Sequence, residues 1–137
     1  MYDEILIPID GSGINKLSIE ELDNVADDSS RVHLISIVDY SIFGEDCPAD
    51  AEHIVRRDEE KARESLEKFK KELQDKGYET ECSLVKGWPA VSVVDYAKNN
   101  NINLMIMTTH GNKHINKSVT HKVIDMSKKP VLVKGSV

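Results

Sequence analysis

Every residue from Ile5 to Ile9, in the order Ile-Leu-Ile-Pro-Ile, is apolar, with no alternation between apolar and polar positions. Such a strand has no face to give to water. It must be covered on both sides, which happens in parallel sheets with helices on both faces. Pro8 cannot donate to a ladder, so it belongs at the strand's end. Arg31 to Val38 is the second strand (Val32, Leu34, Ile35, Ile37, Val38), closed by Asp39. Ile102 to Met107 is another, and Lys129-Pro130 introduces a last short one, Val131 to Val133. Tyr78 to Val85 differs. It alternates, with Tyr78, Thr80, Cys82 and Leu84 on one face, as suits an edge or near-edge strand.

Helical patterns separate these runs. Asp10-Gly11-Ser12-Gly13 breaks the first strand and offers Ser12 as an N-cap. The helix that follows places Ile14, Leu17, Leu22, Val25 and Ala26 on its face, leaves Ile19 off it, and has a poor end at Asp27-Asp28-Ser29-Ser30. Tyr40 to Asp50 lacks a period and reads as a loop. Ala51 to Lys76 is the longest helix, with Ile54, Ala62, Leu66, Phe69 and Leu73 as its buried stripe and Gly77 as its C′ residue. Glu64→Lys68 and Glu67→Lys71 support it from its solvated face. Lys86-Gly87-Trp88-Pro89 is a turn, with Pro89 in the first turn of a helix facing inward through Val91, Val94, Tyr96 and Ala97. Trp88 reads as a packing residue over a sheet end. The last helix, Ser118 to about Ser127, has Val119, Val123 and Ile124 at helical spacing. Strand and helix thus alternate through five strands. Helix-connected strands are parallel with right-handed crossovers, which gives an open doubly wound α/β sheet. The 137 residues fit one domain, 1–137.

Charge is unevenly spread. Residues 1–95 hold 11 basic and 23 acidic side chains, whereas residues 96–137 hold 7 lysines and only Asp125. The net −6 and the scarcity of aromatics argue against nucleic acid. No apolar run is long enough to cross a membrane. Met1-Tyr2-Asp3-Glu4 is not the start of a signal peptide, and the isolated Cys47 and Cys82 suit free thiols, so a cytoplasmic protein is expected. His110 and His114 have i,i+4 spacing, but in a Gly-containing loop rather than a helix, so no metal site is expected. Ser12 lacks a GxSxG elbow, and Gly11-x-Gly13 lacks the third glycine of a dinucleotide fingerprint.

The carboxylate-free surroundings of Leu104 to Thr120 draw attention to the strand–loop–helix start found there, a layout that can hold an anion. In doubly wound sheets ligands bind beyond the carboxyl ends of the strands, where strand order reverses. The groups expected there are Pro8, Ile9 and Asp10 from the first strand and Val38 from the second. Met107, Thr108, His110 and Gly111 come from the fourth, and Lys117, Ser118, Val119 and Thr120 from the last helix start. Ile9 and Met107 would wall a planar base, Asp10 would accept from an exocyclic amine, and the helix start would hold phosphate.

Several segments, in this order, resemble a universal stress protein domain over the whole chain. They are Ile5-Leu6-Ile7-Pro8-Ile9-Asp10-Gly11-Ser12, Val85-Lys86-Gly87-Trp88-Pro89-Ala90, Leu104 to Gly111, Ser118-Val119-Thr120 and Pro130-Val131-Leu132-Val133. The resemblance implies the strand order 3-2-1-4-5 and a homodimer formed through the last strand, Val131 to Val133. It also implies a site for ATP or another adenine nucleotide, with Mg²⁺ for a triphosphate. Pro8, Ile9, Asp10 and Val38 match the base end, and Ser118 and Val119 the phosphate end. Nucleotide-binding members carry G-x-x-G, nine residues, then G-[S/T]. Here Thr108 replaces the first glycine and Gly111 keeps the second. Lys117 replaces the third, and the spacer is about four residues shorter. Fewer backbone N–H groups are therefore available to wrap a triphosphate. The expected function is a small regulatory binding protein for an adenine nucleotide. The alternatives are a dimeric interaction protein that binds none, and a weak ATPase, which would need a water-orienting side chain that the loop does not supply.

Overall fold

The computed structural model describes residues 1–10, 15–38, 51–109 and 117–135, the side chains of residues 51, 52 and 117 excepted. The elements are β1 (Glu4–Ile9), α1 (Asn15–Val25), β2 (Arg31–Val38), α2 (Ala51–Asp75), β3 (Glu79–Lys86), α3 (Pro89–Asn99), β4 (Leu104–Thr108), α4 (Lys117–Met126) and β5 (Val131–Lys134). The strands form one sheet in the order β3-β2-β1-β4-β5, every pair parallel. This is the expected α/β sheet with helices on both faces. Ser12 and the Tyr40–Asp50 stretch lie outside the described residues.

β1 is central, and its alternation divides the interior in two. Ile5, Ile7 and Ile9 pack with α1 and α2 on one side. Leu6 packs with α3 and α4 on the other. That is why the run is apolar throughout. β3 is the edge strand, with Thr80 buried and Cys82 and Leu84 partly buried on the α2 side.

The helix faces need correction in four places. In α1 the buried stripe is Asn15, Ser18, Ile19 and Leu22, so Ile19 is core, and Leu17 is only half-buried. The true stripe keeps i, i+3, i+4, i+7 spacing but includes two polar residues, so a reading that followed apolar residues alone rotated the helix. In α2, Leu66, Phe69 and Leu73 are buried but Ile54 is exposed, three turns before the core begins. In α3 the sheet-facing residues are Ala90, Val93 and Ala97, whereas Val91 is exposed. Small alanines let this helix sit close to the sheet. In α4, Thr120 and Val123 face inward, and Ile124 is exposed. Trp88 also departs from expectation. It is 67% exposed and covers no sheet end, because as the residue before α3 it projects outward.

Polar contacts hold the layers in register. Buried His33 on β2 contacts Glu4 Oε2 through Nε2 at 2.5 Å and the Tyr96 hydroxyl through Nδ1 at 2.8 Å, joining β1, β2 and α3. α2 ends in a Schellman turn, with Tyr78 N–H donating to the Leu73 carbonyl and Gly77 N–H to that of Gln74. Gly77 has φ +93°, which favours glycine, as expected of a C′ residue.

Tyr78 then donates to Asp23 Oδ1 at 2.8 Å, tying the start of β3 to α1. Burial, then this hydrogen bond, pushes the phenol up to about 12. The fold thus favours the protonated phenol over its unfolded value of about 10. The associated stability is complete below about pH 10 and is lost as pH rises towards about 12. Urea melts between pH 9 and 12 should show this loss in the wild type. In Tyr78→Phe the slope across that window should be shallower.

Candidate functional site

The carboxyl ends of β1 and β4 lie where strand order reverses, and a missing N–H on β1 limits the hydrogen bonding between them. In a strand, successive peptide groups face alternate neighbours. The Asp3 carbonyl accepts from Arg31 N–H on β2 at 2.7 Å, and the Glu4 carbonyl accepts from Asn103 N–H at the entry to β4 at 2.8 Å. Even-numbered peptide groups of β1 therefore face β4, and Pro8 is one of them. Pro8 has no N–H to give. The pairing follows this: β1 stays registered with β2 as far as Ile9↔Ser36, but with β4 only at Ile5↔Leu104 and Leu6↔Met105. Beyond Leu6 no further β1–β4 pair is registered, at the point where strand order reverses and a ligand crevice is expected.

β4 continues along β5 to Thr108↔Lys134, so it is the β1 side that is released. Above the crevice, buried Thr120 in the first turn of α4 donates through Oγ1 to the Thr108 carbonyl at 2.7 Å. This bond pins the helix start to the strand end. The first N–H groups of α4 have no partner within the helix, and they carry its positive end.

The structure gathers the expected residues as follows. Pro8 and Ile9 close β1, and Asp10 follows, with its N–H donating to Asn15 Oδ1 at 3.1 Å. Val38 ends β2, and its carbonyl accepts from Gly87 N–H at 3.0 Å. Met107 and Thr108 end β4. Lys117, Ser118, Val119 and Thr120 begin α4. His110 and Gly111 lie outside the described residues. The reading of Ile9 and Met107 as facing walls changes. Both side chains are fully buried, Ile9 in the α1–α2 core and Met107 in the α3–α4 core. They point to opposite faces of the sheet, so at the crevice they present mainly backbone.

Sequence reasoning missed Asn15 and Ser18. Both are buried on the sheet side of α1, at 0% and 1% exposure. The available signal was a pair of small polar residues one turn apart at the head of the helix, on the face that must pack.

A profile of the Universal stress protein family matches residues 1–134. The chain belongs to the universal stress protein family. It is 30% identical over 139 residues to universal stress protein MJ0531 of Methanocaldococcus jannaschii, an alignment covering 97% of this chain and 82% of that one. Among solved structures it resembles that of MJ0577, from the same organism, with TM-score 0.84 and 27% identity over 100% of this chain and 98% of the other. A universal stress protein family protein from Arabidopsis thaliana, solved with AMP bound, shares the fold at TM-score 0.73 and 13% identity, covering 98% of this chain and 92% of that one. The five-stranded order of this family member is thus the family's fold. Among its described residues no helix is long and apolar enough to cross a membrane.

The Thr120–Thr108 bond ties the start of α4 to the end of β4, beside the packing of Val119 and Val123. Replacing Thr120 by Val keeps the shape but removes the donor. Stability in urea should fall by about 1–2 kcal/mol, the usual cost of a broken buried hydrogen bond.

Proposed function

We propose that this universal stress protein is a binding module for an adenine nucleotide. Its ligand occupies the crevice between the carboxyl ends of β1 and β4, and its output is contact with other proteins rather than turnover. The observation that carries this reading is the end of the β1–β4 ladder before Pro8, at the reversal of strand order, with the start of α4 tied to the end of β4. In this reading backbone polar groups of Pro8, Ile9, Asp10 and Val38 would meet the base, and the positive end of α4 would meet a phosphate. Lys117 adds positive charge to a segment free of carboxylates. The AMP bound by the Arabidopsis relative is consistent with the reading.

The replaced glycines bear on which nucleotide is preferred. Thr108 fills the first glycine position with a fully buried side chain, and the loop after it is short. The phosphate cradle therefore has few N–H groups, and a monophosphate suits it nearly as well as a triphosphate. Isothermal titration with AMP, ADP and ATP, with and without Mg²⁺, tests this. Expected is binding in which AMP and ATP differ by less than about tenfold, equivalent to roughly 1.4 kcal/mol. Asp10→Ala should weaken all three by about tenfold if its side chain holds the base. No heat and no thermal shift at millimolar nucleotide would reject the reading.

The same module acts as a homodimer in this proposal. β5 is an edge strand, so its outer N–H and C=O groups lack a sheet neighbour, and Val133 on it is 38% exposed. Val131, Leu132 and Val133 would pair with their counterparts in a second copy. Light scattering should report a dimer, and Val133→Asp should give a folded monomer. A wild-type monomer at high concentration would count against this interface.

A further inference from the structure

Among the described residues, four side-chain atoms are buried without any hydrogen-bond partner: Asn15 Nδ2, Ser18 Oγ, Thr108 Oγ1 and Arg31 Nε. Arg31 is at the opposite end of the sheet, level with Glu4. The other three belong to the carboxyl end of the sheet, on its α1 side. Leu104 and Ile106 pack in the α1–α2 core, so alternation puts the Thr108 side chain on the same side of the sheet, towards α1. α1 lies over that point: its Glu21 reaches Lys134 Nζ at 2.9 Å, and Lys134 is the register partner of Thr108. Asn15 is held at the head of α1 by the Asp10 N–H, and Ser18 follows one turn later on the same buried face. Thr108 itself stands level with Ile9, across the gap that Pro8 leaves.

Buried polar groups are nearly always paired, and an unpaired one destabilises the fold. Three at the same end of the sheet, on the α1 side, are a cost to the empty protein that a ligand would remove. Their chemistry limits that ligand. Asp10 N–H is a donor and occupies Asn15 Oδ1, so the amide is oriented and only its donor side remains. The two hydroxyls are free to donate as well. The seat therefore takes a hydrogen-bond acceptor. It is also neutral, with no cation among the three, and an ionised phosphate oxygen buried against neutral groups alone would be strongly disfavoured.

We propose that Asn15, Ser18 and Thr108 form a buried seat, on the α1 side of the crevice, for an uncharged acceptor atom of the nucleoside, a ring nitrogen or a ribose oxygen. This rests on the nucleotide reading above and assigns a role to the threonine that replaces the family's first glycine. The side chain at that position supplies a base or sugar contact in a protein whose phosphate contacts are few.

The test compares wild type with Thr108→Val, Ser18→Ala and Thr108→Ser. Titrations use adenosine, AMP and ATP, and melting is measured without ligand. Thr108→Val is nearly isosteric and should weaken all three ligands alike, by about tenfold, because one hydrogen bond is lost. Ser18→Ala should act in the same direction. Thr108→Ser keeps the hydroxyl and should retain affinity. Without ligand, Thr108→Val should melt no lower than wild type, since it removes a group that has no partner. Three results would overturn the seat while leaving nucleotide binding intact. One is unchanged affinity in Thr108→Val. A second is a loss with AMP and ATP that spares adenosine, which would move the contact to phosphate. The third is a lower melting temperature of the ligand-free Thr108→Val protein, which would make these groups partners of an internal water. If the wild type binds neither adenosine nor any nucleotide, the nucleotide reading fails and the seat fails with it.

Discussion

The N–H that Pro8 lacks is the constraint on which the rest of this molecule turns. β1 is buried on both faces and bonded on both edges, and a strand so placed would ordinarily zip to its neighbours along its whole length. One residue facing β4 cannot donate, and the ladder on that side stops at Leu6↔Met105 while the ladder to β2 runs on to Ile9. The opening is local, at the carboxyl end, and it coincides with the reversal of strand order.

Polar groups are treated in opposite ways at the two ends of the sheet. At the amino end, buried His33 has both ring nitrogens engaged, by Glu4 and by Tyr96, and this joins two strands to α3. At the carboxyl end, Thr120 is satisfied by the Thr108 carbonyl, yet the Thr108 hydroxyl, Ser18 and the Asn15 amide nitrogen are not. Saturated networks fix a structure, and unsaturated ones near an opening leave hydrogen-bonding capacity unused. The contrast separates the end that holds the domain together from the end that has something to offer a ligand.

Much of the architecture was legible along the chain. The unbroken apolar run at Ile5–Ile9 and the largely apolar Val32–Val38 required cover on both faces, and the alternation from Tyr78 marked an edge. The end of α2 at Gly77 was readable because a left-handed C′ position favours glycine. The helix faces were less legible. Periodicity was read through apolar residues, and three of the four helices bury a polar or small residue where a large apolar one was expected: Asn15 and Ser18 in α1, Ala90 in α3, Thr120 in α4. Residues such as Val91 and Ile124 were assigned inward on hydrophobicity alone, and the fold leaves them outside. Whether an apolar side chain is buried depends on which face the sheet claims, and that is a property of the packed layers.

By itself the sequence determined the α/β class, the parallel direction of the strands and the replacement of the glycines that would wrap a phosphate in nucleotide-binding members. Each of these follows from local chemistry: hydrophobic period, connection length, a missing N–H or an added Cβ. Only the tertiary structure decided that Pro8 points its deficit at β4 rather than β2, that Ile9 and Met107 lie back to back across the sheet, and that Thr108, Asn15 and Ser18 are each left buried with an unpartnered polar atom. Those outcomes depend on register and on which helix covers which strand. They are relations between residues about ninety positions apart, and no local pattern encodes them.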